Sequence, residues 1–269
     1  MENKSKQIFC TAVGMDTLFI GRNIIELDHV DSTNSYANER LKKEILPEGT
    51  IIWTKNQTNG RGQRTNAWES EPFKNLTFSL ILCPSFITVQ QQFYLSKVIS
   101  LALADFVAAI LQEKSDAPQI KIKWPNDIYI GDKKVAGILI ENSIRNNQLV
   151  NSVVGIGLNI NQEKFNKSLP KATALKLHHS TELDLNTCLG QLCSFLEARY
   201  LQLKANKQQC IDEDYLEKMY LLNEWSSFKT SEQIIRAKII GVSAEGKLQV
   251  ELEKKQSRAF DFKEIVFLH

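Results

Sequence analysis

The chain has 269 residues, a formal net charge of +2 and a hydrophobic fraction of 43%. This length allows one large domain, or a large domain and a small one, and the charge argues neither for nor against a nucleic-acid partner. No run of eighteen apolar residues occurs, so we expect no membrane-spanning helix. The five cysteines lack CxxC spacing. This usage predicts reduced thiols and no zinc site. The N-terminal stretch is too polar for a secretory signal, so we expect a cytoplasmic location.

The first two thirds of the chain alternate between strand patterns and helix patterns. Apolar and β-branched runs predict strands, whereas apolar residues spaced three or four apart predict helices. A helix capped by Ser32 or Thr33 is expected to follow the first strand. The predicted elements up to residue 114 are strands at 24–30, 50–54 and 75–82, a polar loop at 56–70 and a long helix at 90–114.

The middle of the chain predicts consecutive strands, and the last part predicts strands alone. The predicted elements from residue 119 are strands at 119–124, 127–130, 135–141 and 149–158, a turn at 131–133, a loop at 161–172, helices at 186–204 and 211–222, and strands at 234–240, 247–252 and 259–268. Strands after a helical segment indicate a small β-barrel that packs on the large domain. We therefore predict a catalytic domain at 1–222 and a second domain at 223–269.

The polar loop QTNGRGQRTNAWES (57–70) is the first segment suited to chemistry. Gly60 and Gly62 let main-chain N–H groups approach an anion closely, and Arg61 and Arg64 suit phosphate or carboxylate. The segment matches neither the phosphate-binding P-loop pattern nor the dinucleotide fingerprint. From composition alone, a flexible surface loop with solvated arginines is an equally good interpretation.

A polar break lies within the next segment, KIKWPNDIYIGDKKVAGILIEN (121–142). Pro125 ends one strand, and Asn126 and Asp127 follow at once. The charged residues expected near one end of the following hairpin are Lys123, Asp127, Lys133 and Lys134. A lysine there can neutralise phosphate oxygens, and Gly137 within a strand indicates close approach of a ligand or another backbone. A hairpin with a solvated basic turn remains the simpler alternative.

Glycines also mark the segment VVGIGLNIN (153–161). Gly155 and Gly157 lie on one face of a strand, which leaves room for a flat ring. Asn159 and Asn161 share that parity and carry amides. The alternative is a structural strand weakened by glycine.

The segment DSTN (31–34) offers hydroxyls and an amide at a helix start. These groups suit a small polar ligand. As a plain helix cap the segment requires none, and in isolation that interpretation is favoured.

Taken in order, the segments DSTN, GRGQRTNAW, KWPNDIYIGDKKVAGILIE and GIGLNIN resemble the biotin–protein ligase family. The resemblance covers residues 24–175 and a C-terminal segment similar to the family's small SH3-like barrel. It implies an α+β fold: a mixed β-sheet flanked by helices, as in class II aminoacyl-tRNA synthetases, followed by that barrel. It also implies a ligase that forms biotinyl-5′-AMP from biotin and ATP.

The resemblance further implies protein modification, namely transfer of biotin to a lysine of the biotin carboxyl carrier domain of a carboxylase. Mg²⁺ would arrive with ATP and no protein metal site is expected. The chain would be a monomer or homodimer with no membrane partner.

The resemblance assigns roles to individual residues. The residues matched to catalysis are Lys134, Arg61, Asp127 and Lys123. Those matched to biotin are Ser32, Thr33, Asn34, Gln57, Gly60, Arg61, Gly62, Gln63, Lys134, Gly137, Gly155 and Gly157. Those matched to the nucleotide are Arg61, Arg64, Trp68, Lys123, Asn126 and Asn159.

The sequence departs from the family pattern in the loop and before DSTN. Gln63 and Thr65 stand where many relatives have arginine and glycine, which puts the retention of the adenylate in doubt. About thirty residues precede DSTN, too few for the helix-turn-helix of some relatives, so we expect no DNA binding.

Three alternatives stay open at this point. A lipoate or octanoate ligase or transferase shares the family's fold, although the KWPND and GRGQR strings argue against it. A non-catalytic biotin-binding module is disfavoured by the presence of Lys134 and Asp127. A nucleic-acid binder is the weakest alternative, because the charge is near neutral and no basic stripe occurs.

Overall fold

The computed structural model describes residues 8–9, 16–63, 66–111, 118–231, 233–253 and 255–268. Arg64, Thr65 and the predicted helix end at 112–114 lie outside these ranges, as does Cys10. The described cysteines, which are all free, are Cys83, Cys188, Cys193 and Cys210.

The elements follow the predicted order. The helices are α1 (Thr33–Leu41), α2 (Phe93–Leu111), α3 (Leu185–Lys204) and α4 (Gln208–Glu217). The strands before α3 are β1 (Ile8–Phe9), β2 (Ile24–Leu27), β3 (Ile51–Thr54), β4 (Gly60–Arg61), β5 (Ala67–Trp68), β6 (Leu76–Leu82), β7 (Ile120–Lys123), β8 (Asp127–Ile130), β9 (Lys133–Arg145) and β10 (Gln148–Leu158). Those after α4 are β11 (Trp225–Thr230), β12 (Ile234–Val242), β13 (Leu248–Leu252), β14 (Ser257–Phe260) and β15 (Ile265–Phe267).

The large sheet is mixed. Its strand order is β1-β2-β3-β6-β10-β9-β8-β7. β2 and β3 run parallel, and the remaining neighbours run antiparallel. Together with the flanking helices, this confirms the predicted mixed sheet with helices against it.

The two faces of the large sheet are covered unequally. α2 and α3 pack on one face and share the main apolar core with its strands. On the other face, α1 packs against β3, β6 and β10 over a smaller core that includes Ala37 and Val153. Because α1 has only nine residues, it leaves part of this face uncovered, and that part carries the candidate site.

α2 is a core helix. By length and composition, Val89–Leu111 would be able to cross a membrane, but 72% of its apolar 18-residue window is buried inside the protein. Side chains on all sides of the helix are buried, among them Leu95, Leu101 and Phe106. A helix that is apolar all round is expected in the core of a protein of this size. Packing in the main core therefore explains the apolar surface of α2.

The C-terminal strands form a separate sheet in the order β14-β13-β12-β11-β15. Buried and exposed residues alternate along β12, as expected for a sheet with one face in a core. Its apolar core includes Phe228 and Ile239, together with Trp124 and Met219 from the preceding part of the chain. The Trp124 Nε1 donates to the Gly246 carbonyl oxygen at 2.9 Å. The sheet therefore packs on the large one, as its small size requires.

Some strand boundaries differ from the prediction. The predicted strand at 259–268 is two strands, because a turn closed by the Glu264 amide and the Asp261 carbonyl separates them. β1, β4, β5 and β11 were not predicted. The short ribbon of β4 and β5 carries few apolar residues, so no strand pattern marks it in the sequence.

We expect Gly246→Ala to destabilise the protein by about 2–3 kcal/mol. Gly246 has a φ of +91°, and an added Cβ would lie 2.5 Å from ring carbons of Phe93. The matched control is Gly131→Ala, since Gly131 also has a positive φ, +57°, but nothing within 4 Å of an added Cβ. The control should lose only about 1 kcal/mol. Urea unfolding of the two variants measures the difference, and equal losses would contradict packing of this turn against α2.

Candidate functional site

A cavity of about 270 Å³ lies on the face that α1 leaves uncovered. Most of the predicted site residues line it. They are Ser32, Thr33, Asn34, Gln57, Arg61, Gly62, Gln63, Trp68, Lys123, Asn126, Asp127, Lys134, Gly137, Gly155 and Gly157. The segments that carry them are far apart in sequence, so the fold brings the separate motifs to one place.

Among the predicted residues that the structure describes, two are not part of the cavity lining, Gly60 and Asn159. Gly60 lies in β4, where an added Cβ would be 2.2 Å from the Trp68 carbonyl oxygen. The buried Asn159 amide donates to the Thr173 carbonyl at 2.9 Å, and its Oδ1 has no hydrogen-bond partner. Arg64 lies outside the described residues. The nucleotide roles of Asn159 and Arg64 stay predictions.

Glycines form the floor of the cavity. Gly137 of β9 and Gly157 of β10 are direct cross-strand partners, so neither strand places a side chain there. An added Cβ on Gly157 would lie 2.2 Å from the Trp68 ring, and one on Gly155 would lie 2.4 Å from Asn34 Oδ1. Glycine is therefore required here because other side chains already occupy the space above the backbone.

One end of the cavity is a network of hydroxyls and amides at the start of α1. Ser32 caps this helix by accepting from the Ser35 amide. Gln57 Oε1 accepts from the Thr33 amide at 2.9 Å, and Ser79 Oγ lies 2.8 Å from Thr33 Oγ1 and 2.6 Å from Asn34 Oδ1. Gln57 and Ser79 are hydrogen-bond partners that a plain helix cap does not require. They hold the polar groups of the cap in fixed orientations.

The other end of the cavity holds an ion pair. Lys134 Nζ lies 2.7 Å from Asp127 Oδ1. Lys134 and Gly137 are three residues apart and would point to opposite faces of a regular strand. An irregularity in the β8–β9 register brings them together, and an added Cβ on Gly137 would lie 3.2 Å from Lys134 Nζ. β-bulges re-aim side chains in this way.

Lys123 lies beside this pair in an apolar setting. Its Nζ donates to the Tyr129 hydroxyl at 3.2 Å and lies 4.9 Å from the Phe267 ring centroid. Burial lowers the pKa of the Lys123 ammonium below its ordinary value, Asp127 opposes that shift, and the charges of Lys171 and Lys134 add to it. The cavity therefore holds two lysines and one carboxylate at this end, which favours anions.

Raising the pH should stabilise the folded protein, because the partly buried Lys123 ammonium then loses its charge. Because folding lowers its pKa, the folded protein releases this proton before the unfolded chain, whose lysine titrates near 10.5. The contribution of Lys123 to the free energy of unfolding therefore rises with pH between its lowered pKa in the folded protein and 10.5. The difference in melting temperature, Lys123→Met minus wild type, should be most positive at neutral pH and fall as pH approaches 10.5. A difference that does not change with pH would show that Lys123 keeps an ordinary pKa.

The ribbon of β4 and β5 lies over the cavity. Trp68 of β5 covers Gly157, and Lys134 Nζ lies 5.5 Å from its ring centroid. The Trp68 Nε1 is buried without a hydrogen-bond partner. A buried donor without a partner carries a cost of about 1–3 kcal/mol, so a ligand that accepts a hydrogen bond there would gain from it.

Sequence reasoning missed several residues of the site. Ser79 is a polar residue within the buried strand β6, and that position was a signal that could have found it. Glu141, which contacts the lining residues Asn34 and Arg61, follows the GILI run at residues 137–140. The C-terminal sheet also contributes lining residues, which are Phe262, Ile265, Val266 and Phe267. No motif in the sequence connects them to the site, because the contact depends on how the two sheets pack.

Comparison with known proteins identifies the family. Residues 26–159 match the sequence model of the biotin/lipoate A/B protein ligase family. The chain belongs to this family. It is 32% identical over 190 residues to the bifunctional ligase/repressor BirA of Bacillus subtilis, covering 70% of this chain and 56% of that protein. It is 30% identical over 182 residues to the biotin–[acetyl-CoA-carboxylase] ligase of Mycobacterium tuberculosis, covering 67% of this chain and 65% of the relative.

The fold agrees with a solved structure of the same kind. The biotin protein ligase of Aquifex aeolicus in complex with biotin and ATP superposes with a TM-score of 0.74 at 27% identity, covering 91% of this chain and 98% of that one. The chain spans less than two thirds of the length of the two curated relatives.

Proposed function

We propose that the chain is a biotin–protein ligase, which joins biotin and ATP to form biotinyl-5′-AMP and transfers biotin to a lysine of a carrier domain. One observation carries the proposal: a single glycine-floored cavity has an amide and hydroxyl network at one end and the Lys134–Asp127 pair at the other. A ligand with a neutral polar ring and a carboxylate at the end of an apolar chain matches both ends.

The network around α1 suits the ureido ring. A ureido group has two N–H donors and one carbonyl acceptor, so it requires fixed partners of both kinds. The Thr33 hydroxyl lies 3.3 Å from the Gln57 amide oxygen and 2.8 Å from the Ser79 hydroxyl, so hydroxyl and amide groups are both present. A site built of such groups discriminates strongly against ligands that leave them unpaired.

The lysines suit the adenylation step. The biotin carboxylate attacks the α-phosphorus of ATP, the bond from that phosphorus to the pyrophosphate oxygen breaks, and pyrophosphate leaves. Two anions must approach each other, so fixed positive charge stabilises the transition state. Lys134, beneath Trp68, and Lys123 beside the Lys134–Asp127 pair supply it. Mg²⁺ would enter bound to ATP as part of the substrate. The ribbon of β4 and β5 would limit access of water to the mixed anhydride.

Asp127 suits the transfer step. The carrier's lysine nitrogen attacks the acyl carbon, AMP leaves, and the nitrogen loses its proton as the amide forms. A free lysine has a pKa of about 10.4, so it needs a base or a carboxylate that orients it. Asp127 lies at the cavity, 2.7 Å from Lys134 Nζ, and would accept this proton or hold the incoming ammonium.

The broader expectations accompany this proposal. We propose the class II aminoacyl-tRNA synthetase arrangement for the large sheet, the SH3-like class for the C-terminal sheet and a domain boundary at residues 222–223. The carrier would be the biotin carboxyl carrier domain of a cytoplasmic carboxylase. The absence of DNA binding and the choice between monomer and homodimer stay predictions.

The test is biotin-dependent exchange of labelled pyrophosphate into ATP by the purified protein, with lipoate as the control acid. Exchange with biotin alone is the expected result. Exchange with lipoate alone would reassign the chain to the lipoate branch of its family. Folded protein without exchange for either acid would refute adenylation and favour a non-catalytic biotin binder.

A further inference from the structure

We infer that Glu141 is a positioning residue, which joins the ribbon of β4 and β5 to the polar end of the cavity through Arg61 and Asn34. The inference rests on the proposed function and concerns how that site is held closed. It also gives Arg61 a different part from neutralising phosphate.

The Glu141 carboxylate gathers donors from α1 and from β4. Oε2 accepts from Asn34 Nδ2 at 2.9 Å and from Asn38 Nδ2 at 3.1 Å. Oε1 accepts from Arg61 Nη2 at 2.7 Å, and Arg61 Nη1 lies 3.4 Å from Oε2. One side chain of β9 therefore connects the ribbon with the helix that carries the polar network.

Glu141 also fixes the orientation of Asn34. The Asn34 Nδ2 donates to Glu141 and to the Leu139 carbonyl at 3.2 Å, while Oδ1 accepts from Ser79 Oγ. The oxygen and the nitrogen of the Asn34 amide therefore each have hydrogen-bond partners. Because Asn34 lies above Gly155 in the cavity, a change at Glu141 would reach the ligand through Asn34.

The position of Arg61 separates it from the end of the cavity that holds Lys134 and Lys123. Lys134 Nζ lies beside Gly137, and Gly137 is four residues from Glu141 on β9, which corresponds to about 13 Å at the usual rise of roughly 3.3 Å per residue. The Arg61 guanidinium pairs with Glu141 and lies 3.3 Å from Ser35 Oγ. Its charge is compensated at the α1 end, so its effect on the reaction would come from the position of the ribbon.

The chemistry of the carboxylate makes the inference specific. An ionised carboxylate only accepts hydrogen bonds, whereas a glutamine amide has one acceptor oxygen and an NH₂ that donates. In Glu141→Gln, that NH₂ would face the N–H groups of Arg61 or of the two asparagines. The substitution keeps the size and shape of the side chain and removes the contacts of one of its two oxygens, either those with the asparagines or that with Arg61.

The test compares Glu141→Gln with wild type in pyrophosphate exchange and in the rate at which purified biotinyl-AMP dissociates from the protein. We expect the KM for biotin to rise about tenfold and the dissociation rate to rise about tenfold, while kcat falls less than threefold. The matched control is Glu182→Gln, which removes a surface ion pair with Lys74 and should leave KM and the dissociation rate at their wild-type values.

A double variant decides the part played by Arg61. If Arg61 acts through Glu141, then adding Arg61→Gln to Glu141→Gln changes the dissociation rate less than twofold. A further tenfold change would show that Arg61 acts independently, and a wild-type KM in Glu141→Gln would overturn the inference. Wild-type protein without exchange would instead refute the proposed function. In that case, calorimetric titration with biotin alone still measures whether Glu141→Gln binds biotin more weakly than wild type. Equal affinities of the two proteins would overturn the inference.

Discussion

Lys134→Ala should reduce biotin-dependent pyrophosphate exchange by a factor on the order of 10³. Lys134 Nζ lies 2.7 Å from Asp127 and 5.5 Å from the Trp68 ring centroid, at the cavity end with the most positive charge. Its removal would leave Asp127 without its ion-pair partner where two anions must meet. The initial rate of label transfer at saturating biotin and ATP measures the loss.

Two variants separate charge from structure in this result. Lys133→Ala removes the adjacent lysine of β9, which is exposed and does not line the cavity, so exchange should stay within twofold of wild type. Lys134→Arg keeps the charge but not the compact ammonium, and should recover only part of the activity. Near-normal exchange by Lys134→Ala, in protein that melts like wild type, would refute the role of Lys134 in adenylation.

Local pattern was sufficient to predict the elements from which the site is built. β3, β8 and α3 lie within two residues of their predicted bounds, because apolar periodicity and turn residues mark them directly. The glycines were informative for the same reason. A glycine within a strand indicates that something lies close above the backbone, and Trp68 and Asn34 occupy those places at Gly157 and Gly155.

The remaining features depend on contacts that no local pattern encodes. Strict alternation would place Lys134 and Gly137 on opposite faces of β9, and the register irregularity that unites them is visible only in the paired strands. Glu141 gains its role from Arg61, which is 80 residues away in sequence. Phe267 reaches Lys123 only because the C-terminal sheet packs at the mouth of the cavity.

The Gly157→Ala variant should lose biotin-dependent exchange by about 100-fold while the protein stays folded. The new Cβ would lie 2.2 Å from Trp68 Cε2 and 2.6 Å from its Nε1, so the indole must leave its place above the floor. Trp68 is half-buried and lies in the short ribbon of β4 and β5, which can shift without disturbing the main core. The measurements are the exchange rate and the melting temperature of the same preparation.

A graded control follows from the neighbouring strand. An added Cβ on Gly137 would lie 3.1 Å from Trp68 and 3.2 Å from Lys134 Nζ, so small shifts suffice and Gly137→Ala should lose about tenfold or less. Trp68→Ala combined with Gly157→Ala should be no worse than Trp68→Ala alone, because the clash then has no partner. Equal losses in the two glycine variants, or fully additive losses in the double variant, would mean that Gly157 affects exchange by a route other than the position of the Trp68 ring.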